Sequence, residues 1–222
     1  MKRAAAGLLA ALAFAAPPAC TYGTSAPPLD KVNPALVALS NAEPIALADR
    51  LEGLIAEGRD TSEDREFAYW VIAQQEPGSA PSAFARASTA GRVAELKGLN
   101  AGVQVAEAER YAAVSRRLDP DFRQGAAQAL LGSLYVHAPA SMVAHGDSEK
   151  GLTLLREVHA RWPDNPRHRL RLAEAYVALG DDAPAYALLC WCRARADVYR
   201  ADERALLVQM LDDVDLEAGD CE

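Results

Sequence analysis

At 222 residues the chain has room for one or two ordinary domains or a single short solenoid. Half of it is hydrophobic, but only 6% is aromatic, and alanine and leucine carry most of the apolar content. The formal charge of −8 repels phosphate backbones, which excludes nucleic acid as a natural partner and argues against a grip on anionic lipid head groups.

Ala and Leu head the helix-propensity ranking, and Ala lets backbones approach closely. Residues of strand type never gather into alternating runs of useful length. The expected fold class is all-α.

In chain order, Lys2 and Arg3 precede an apolar stretch from Ala4 to Ala16. Its 13 residues are too few for a hydrocarbon core about 30 Å thick, which needs roughly 20. Residues 1–19 therefore read as a secretory signal. The segment Ala16-Pro17-Pro18-Ala19-Cys20 resembles a bacterial lipoprotein processing site, in which Cys20 becomes the lipidated N-terminus. Pro17 departs from that pattern, where an aliphatic residue is usual. Cleavage by ordinary signal peptidase after Ala15, Ala16 or Ala19 is the alternative. Either route exports the protein to the periplasm, and lipidation would attach it to the membrane through its N-terminus. Loss of Lys2 and Arg3 with the signal takes the charge from −8 to −10.

Residues 20–33, rich in Gly, Ser, Thr and Pro, read as a flexible tether. Nine helices are predicted after it. Pro44 opens the first, Leu47, Leu51, Leu54 and Ile55 share one of its faces, and Gly58 stops it. The second runs over Ser62–Gln75 with Phe67, Trp70 and Val71 on one side. The third and fourth are Ser82–Leu99 and Val103–Leu118. The fifth is Arg123–His137, the sixth Ser148–Arg161, the seventh Arg167–Leu179, the eighth Ala183–Ala196 and the ninth Ala201–Val214. Gly-Asp turns within pairs and Asp-Pro or Pro-Asp between them mark a repeat. Residues 34–118 form a degenerate N-terminal set and residues 119–222 a better-defined C-terminal set with a closing helix.

Leu172-Ala173, Tyr176, Gly180-Asp181 and Ala185 resemble the tetratricopeptide pattern, a large-small pair followed by Tyr, a turn Gly and a small residue on the second helix. The preceding pair repeats it as Leu131-Gly132, Tyr135, Gly146-Asp147 and Gly151. Tyr176 lies 4 residues before its glycine and Tyr135 lies 11 before its own, so the earlier connection is 7 residues longer. The resemblance implies a tetratricopeptide-like α/α solenoid of four helix pairs plus a closing helix, stacked to bury their apolar faces and leave a concave binding surface.

The inserted unit, with Gly125-Ala126-Ala127, Leu131-Gly132, Leu134-Tyr135, Ala138-Pro139, Gly146-Asp147 and Lys150-Gly151, resembles the T-component family of tripartite ATP-independent periplasmic (TRAP) transporters. The similarity covers Asp119 to Leu189, about a third of the chain. It implies a lipid-anchored repeat protein whose partner is the soluble substrate-binding protein of the transporter.

No chemistry competes with a binding role. Ser133 lacks the second glycine of a nucleophile elbow, and no glycine-rich phosphate loop precedes a helix. His137, His145 and Asp147 lack metal-ligand spacing, and Asp181-Asp182 and Asp212-Asp213 read as solvated helix-end charge. His159 and His168 flank a turn and read as surface residues. The chain is therefore expected to be a non-enzymatic adaptor with no cofactor and no metal. Long loops in repeat proteins carry function, so the partner-binding residues are expected to be His137, Pro139, Met142 and His145, with Tyr135 and Tyr176 as weaker candidates that inter-helix packing also explains. A small hydrophobic-ligand carrier and a structural scaffold lipoprotein of envelope assembly are the rival functions. Cys190 and Cys192 lie about 200° apart around a helix and should not bond to each other. A disulfide from one of them to Cys221 would pin the tail, and Cys192–Cys221 is the pair expected.

Overall fold

The computed structural model of the protein describes residues 26–221. The expected signal peptide, Cys20 and the first part of the tether lie outside them. Ten α-helices follow one another among the described residues: α1 Pro34–Val37, α2 Pro44–Ala56, α3 Ser62–Ala73, α4 Ala80–Lys97, α5 Gly102–Leu118, α6 Ala126–His137, α7 Ser148–Arg161, α8 Pro166–Ala178, α9 Asp182–Arg193 and α10 Ala201–Asp213. There is no strand among the described residues, and no helix there is long and apolar enough to cross a membrane.

Local chemistry sets the boundaries. Thr61 and Asp64 close a reciprocal capping box on α3, Ser79 and Ser82 do so on α4, and Asp147 and Asn165 cap α7 and α8 through their side chains. Proline stands in the first turn of α1, α2, α4 and α8, where its missing N–H costs nothing. The tether ends earlier than expected. The Asn33 side chain accepts the Ala35 N–H, and the Asn33 N–H donates to Asp64. That pair ties the chain to the start of α3 and seats Val32 and Leu36 in the core. The predicted fifth helix starts three residues late, at Ala126, because Arg123, Gln124 and Gly125 all hold positive φ (49°, 57° and 77°).

Consecutive helices pack as pairs, α2 with α3, α4 with α5, α6 with α7 and α8 with α9. The first pair and α1 bury Leu36, Leu47, Leu51, Leu54, Phe67 and Ile72. The last pair buries Leu170, Leu189, Leu207 and Met210 together with α10. Each leucine so buried contributes roughly 1.5–3 kcal/mol. The tetratricopeptide positions do what their size demands. Ala173 and Ala185 have no exposed surface where α8 meets α9, and Gly180 turns the chain at φ +69°. At the α6–α7 crossing, a Cβ on Gly151 would lie 2.7 Å from the Gly132 carbonyl oxygen, so those two backbones touch.

The stack closes on itself. Besides its neighbours α8 and α9, α10 packs against α2, the first long helix of the chain. Glu52 of α2 sits between two guanidiniums, with both carboxylate oxygens on Arg92 of α4 at 2.7 Å and one also on Arg200 at 3.2 Å. The result is a ring of inner helices, α2, α4, α6, α8 and α10, with α3, α7 and α9 outside it.

Candidate functional site

The ring lines an open cavity of about 880 Å³. All five inner helices line it, and Val105 and Ala108 of α5 fill the gap between α4 and α6. Its two sides differ. From α4, α5 and α6 it presents Phe84, Val105, Ala129, Leu130 and Leu134. From α2, α8, α10 and the turn before α6 it presents ion pairs, Arg123–Asp49 at 2.6 Å, Arg167–Glu203 at 2.9 Å and Arg171–Glu174 at 2.7 Å, beside the Glu52 cluster, to which α4 adds Arg92 and Glu95. Burial alone would raise the Glu52 carboxyl, but the hydrogen bond and charge of Arg92 and the charge of Arg200 outweigh it and hold the group down to about 2.

The turn before α6 closes one side of this cavity. Its left-handed residues Arg123 and Gln124 cost on the order of 1–3 kcal/mol each, and such backbone persists only where its surroundings fix it. Here Asp49 takes Arg123 in two hydrogen bonds of 2.6 and 2.7 Å. Asn165 donates to the Gln124 side chain at 2.7 Å, and His168 Nε2 lies 2.7 Å from the Gln124 carbonyl. His168 is thus a buried structural residue and not a surface one, and burial lowers its pKa against the opposing effect of that hydrogen bond.

The long connection between α6 and α7 is ordered by one carboxylate. Glu109 of α5 is 3% exposed and accepts the Tyr135 hydroxyl at 2.9 Å, the Ala144 N–H at 2.8 Å and the His145 N–H at 2.7 Å. Burial pushes its pKa up, and these three donors together pull it below the ordinary carboxylate range. The same burial, with the Glu109 charge, raises the Tyr135 phenol. Gly146 lies flat on the Tyr135 ring, where any Cβ would collide with the ring carbons.

This arrangement sorts the six predicted partner-binding residues. His137, Pro139 and Met142 line the cavity at its mouth, and His137 Nε2 lies 3.6 Å from Glu174. His145 is exposed and points over Glu109, away from the cavity lining. Tyr135 and Tyr176 are buried, with the Tyr176 hydroxyl accepting from Arg156 at 2.7 Å. They pack helices and offer no surface to a partner. Sequence reasoning missed Glu109, Glu52 and the arginines of α8. The signal for Glu109 was a carboxylate on the otherwise apolar stripe Val105, Ala108 and Ala112. Leu99 was missed too; it is 84% exposed and belongs to the cavity lining.

The disulfide joins Cys190 to Cys221, not Cys192 to Cys221. Cys192 faces the core, wholly buried, with its sulfur 3.1 Å from the Tyr199 hydroxyl. Cys190, two positions round α9, is the one that meets the tail. Among the described residues no group of three or more His, Cys, Asp or Glu side chains is placed to hold a metal ion.

Residues 142–189 match the family model of the tetratricopeptide repeat, from Met142 of the loop through α7 and α8 to Leu189 of α9. No curated protein matches the chain. Residues 142–189 are thus similar to a tetratricopeptide repeat, within an all-α, tetratricopeptide-like solenoid of paired helices.

Proposed function

We propose that the protein is a non-enzymatic adaptor that docks a protein partner at the cavity mouth. The observation that carries this reading is the Glu109-pinned loop, which places Pro139 and Met142 in the cavity lining together with the exposed Leu99. A preordered apolar rim binds without first having to order itself. Tetratricopeptide repeats work through protein partners, which supports the class of function. The finer assignment is an exported, lipid-anchored periplasmic protein, attached through Cys20, that serves a TRAP-type uptake system by docking its solute-binding protein.

The test is in-cell cross-linking and affinity capture of the full-length protein, tagged at its C-terminus, beside a Leu99→Glu/Met142→Glu variant. The proposal expects one soluble solute-binding protein to be enriched with the wild type and lost with the variant. Enrichment of envelope-assembly proteins, unchanged by the variant, would support the scaffold reading and overturn this one. A second reading, carriage of a small hydrophobic ligand, is supported by the cavity, whose volume falls in the range of about 300–1,000 Å³ usual for small-molecule sites.

A further inference from the structure

We infer that the cavity takes an amphipathic monocarboxylate, a single acyl chain whose head group is read by Arg167 and Arg171 of α8. This rests on the carrier reading and adds to it the chemistry of the head. Phe84, Val105, Ala129, Leu130 and Leu134 give the cavity an apolar wall that suits a hydrocarbon chain. The polar side is not symmetric in its charges. Arg167 is 58% exposed over a Glu203 that is 5% exposed, and Arg171 is 31% exposed over a Glu174 that is 17% exposed. Both arginines line the cavity. Glu203 and Glu174 line the cavity too, but each is the less exposed member of its pair, so a ligand meets chiefly N–H donors.

The two arginines are four residues apart on one helix and so share a face. A guanidinium offers five donors, so each can keep its own glutamate and still bind a second carboxylate through its free edge. The head should carry one charge and not two. The five cavity-lining arginines are matched by five lining carboxylates, so the lining has no surplus positive charge to balance a phosphate dianion.

The test measures palmitate and hexadecanol binding to the purified full-length protein by displacement of a fluorescent fatty acid. Three proteins are compared: the wild type, Arg167→Gln/Arg171→Gln, and Ser133→Trp, which fills the cavity from the apolar side. Thermal melts establish that each variant is folded. The wild type is expected to bind palmitate at least tenfold more tightly than hexadecanol. The arginine variant should lose that preference while keeping its hexadecanol affinity, and Ser133→Trp should lose both ligands. Equal wild-type affinities for palmitate and hexadecanol, or a preference that survives the arginine variant, would overturn the head-group assignment alone. Binding of neither ligand to the wild type would overturn the carrier reading with it.

Discussion

Glu52 and Arg200 stand 148 residues apart in the chain and 3.2 Å apart in space, and their contact joins the first long helix to the last. A tetratricopeptide stack without such a contact would be an open superhelix with a concave face. With it, the concave face becomes a lined cavity.

The acid limb of stability should report this seam. A carboxyl whose pKa is depressed in the folded state binds its proton less tightly there than in the unfolded chain. Its stabilisation is therefore complete above the ordinary value of 4.5 and fades as pH falls toward about 2. Glu52→Gln should flatten the loss of stability across that window and cost about 2 kcal/mol at neutral pH, as it takes from Arg92 and Arg200 the carboxylate they share and leaves them Glu95 and Asp202. Urea titrations at stepped pH check both.

Loosening the loop requires only one substitution. Glu109→Gln keeps the shape but replaces an acceptor of two backbone N–H groups with a weaker and half-donating amide. The expected cost is about 1–3 kcal/mol, because hydrogen bonds to a charged group are the stronger kind. Hydrogen exchange should accelerate at the amides of Ala144 and His145, which Glu109 holds, while α2 and α3 remain protected.

The α6–α7 crossing gives a prediction in which two effects oppose. Alanine is favoured over glycine in a helix by about 1 kcal/mol. At Gly132 the new methyl would lie 2.6 Å from Leu155 Cγ, and at Gly151 it would meet a backbone oxygen. Overpacking of this kind costs typically about 1–3 kcal/mol, so Gly151→Ala should destabilise on balance, and by more than Gly132→Ala, whose methyl lies farther from backbone, 3.0 Å from the Gly151 oxygen against 2.7 Å from the Gly132 oxygen. Denaturation midpoints of the two variants test the order.

Much of this architecture is legible in the sequence. The nine helices long enough to show a periodic apolar face lie within a few residues of their predicted bounds, because the apolar spacing marks each one and Pro, Gly or a capping residue marks many of the ends. The start of α6 differs because nothing in Arg123-Gln124 announces left-handed backbone. Their φ values are imposed by Asp49, Asn165 and His168, which lie far away in the chain. The loop follows from counting between Tyr135 and Gly146, and His137, Pro139 and Met142 do line the cavity. The ring is not legible, since an Arg–Glu contact between α2 and α10 leaves no local pattern, and the lining arginines become visible only with it.

The tail should be held by Cys190 and by no other cysteine among the described residues. Closing a loop across 31 residues is worth roughly 3–4 kcal/mol in the chain-entropy model. Cys190→Ser should therefore lower the melting temperature and free the C-terminal peptide to proteolysis, whereas Cys192→Ser should leave the tail attached. Mass spectrometry of unreduced digests should recover the Cys190–Cys221 cross-linked peptide, and Cys192 should resist alkylation until the protein unfolds.

The closed ring is tested most directly by a double-mutant cycle on Glu52→Ala and Arg200→Ala, read from urea unfolding of the two single variants and the double. Contacting residues in one ion network couple by about 0.5–3 kcal/mol, whereas distant independent sites add to within about 0.3–0.5 kcal/mol. A coupling above that additive limit, falling as salt is raised, is the result predicted for a seam closed between α2 and α10. Strict additivity of the two substitutions would contradict the ring, and with it the cavity on which the binding site is built.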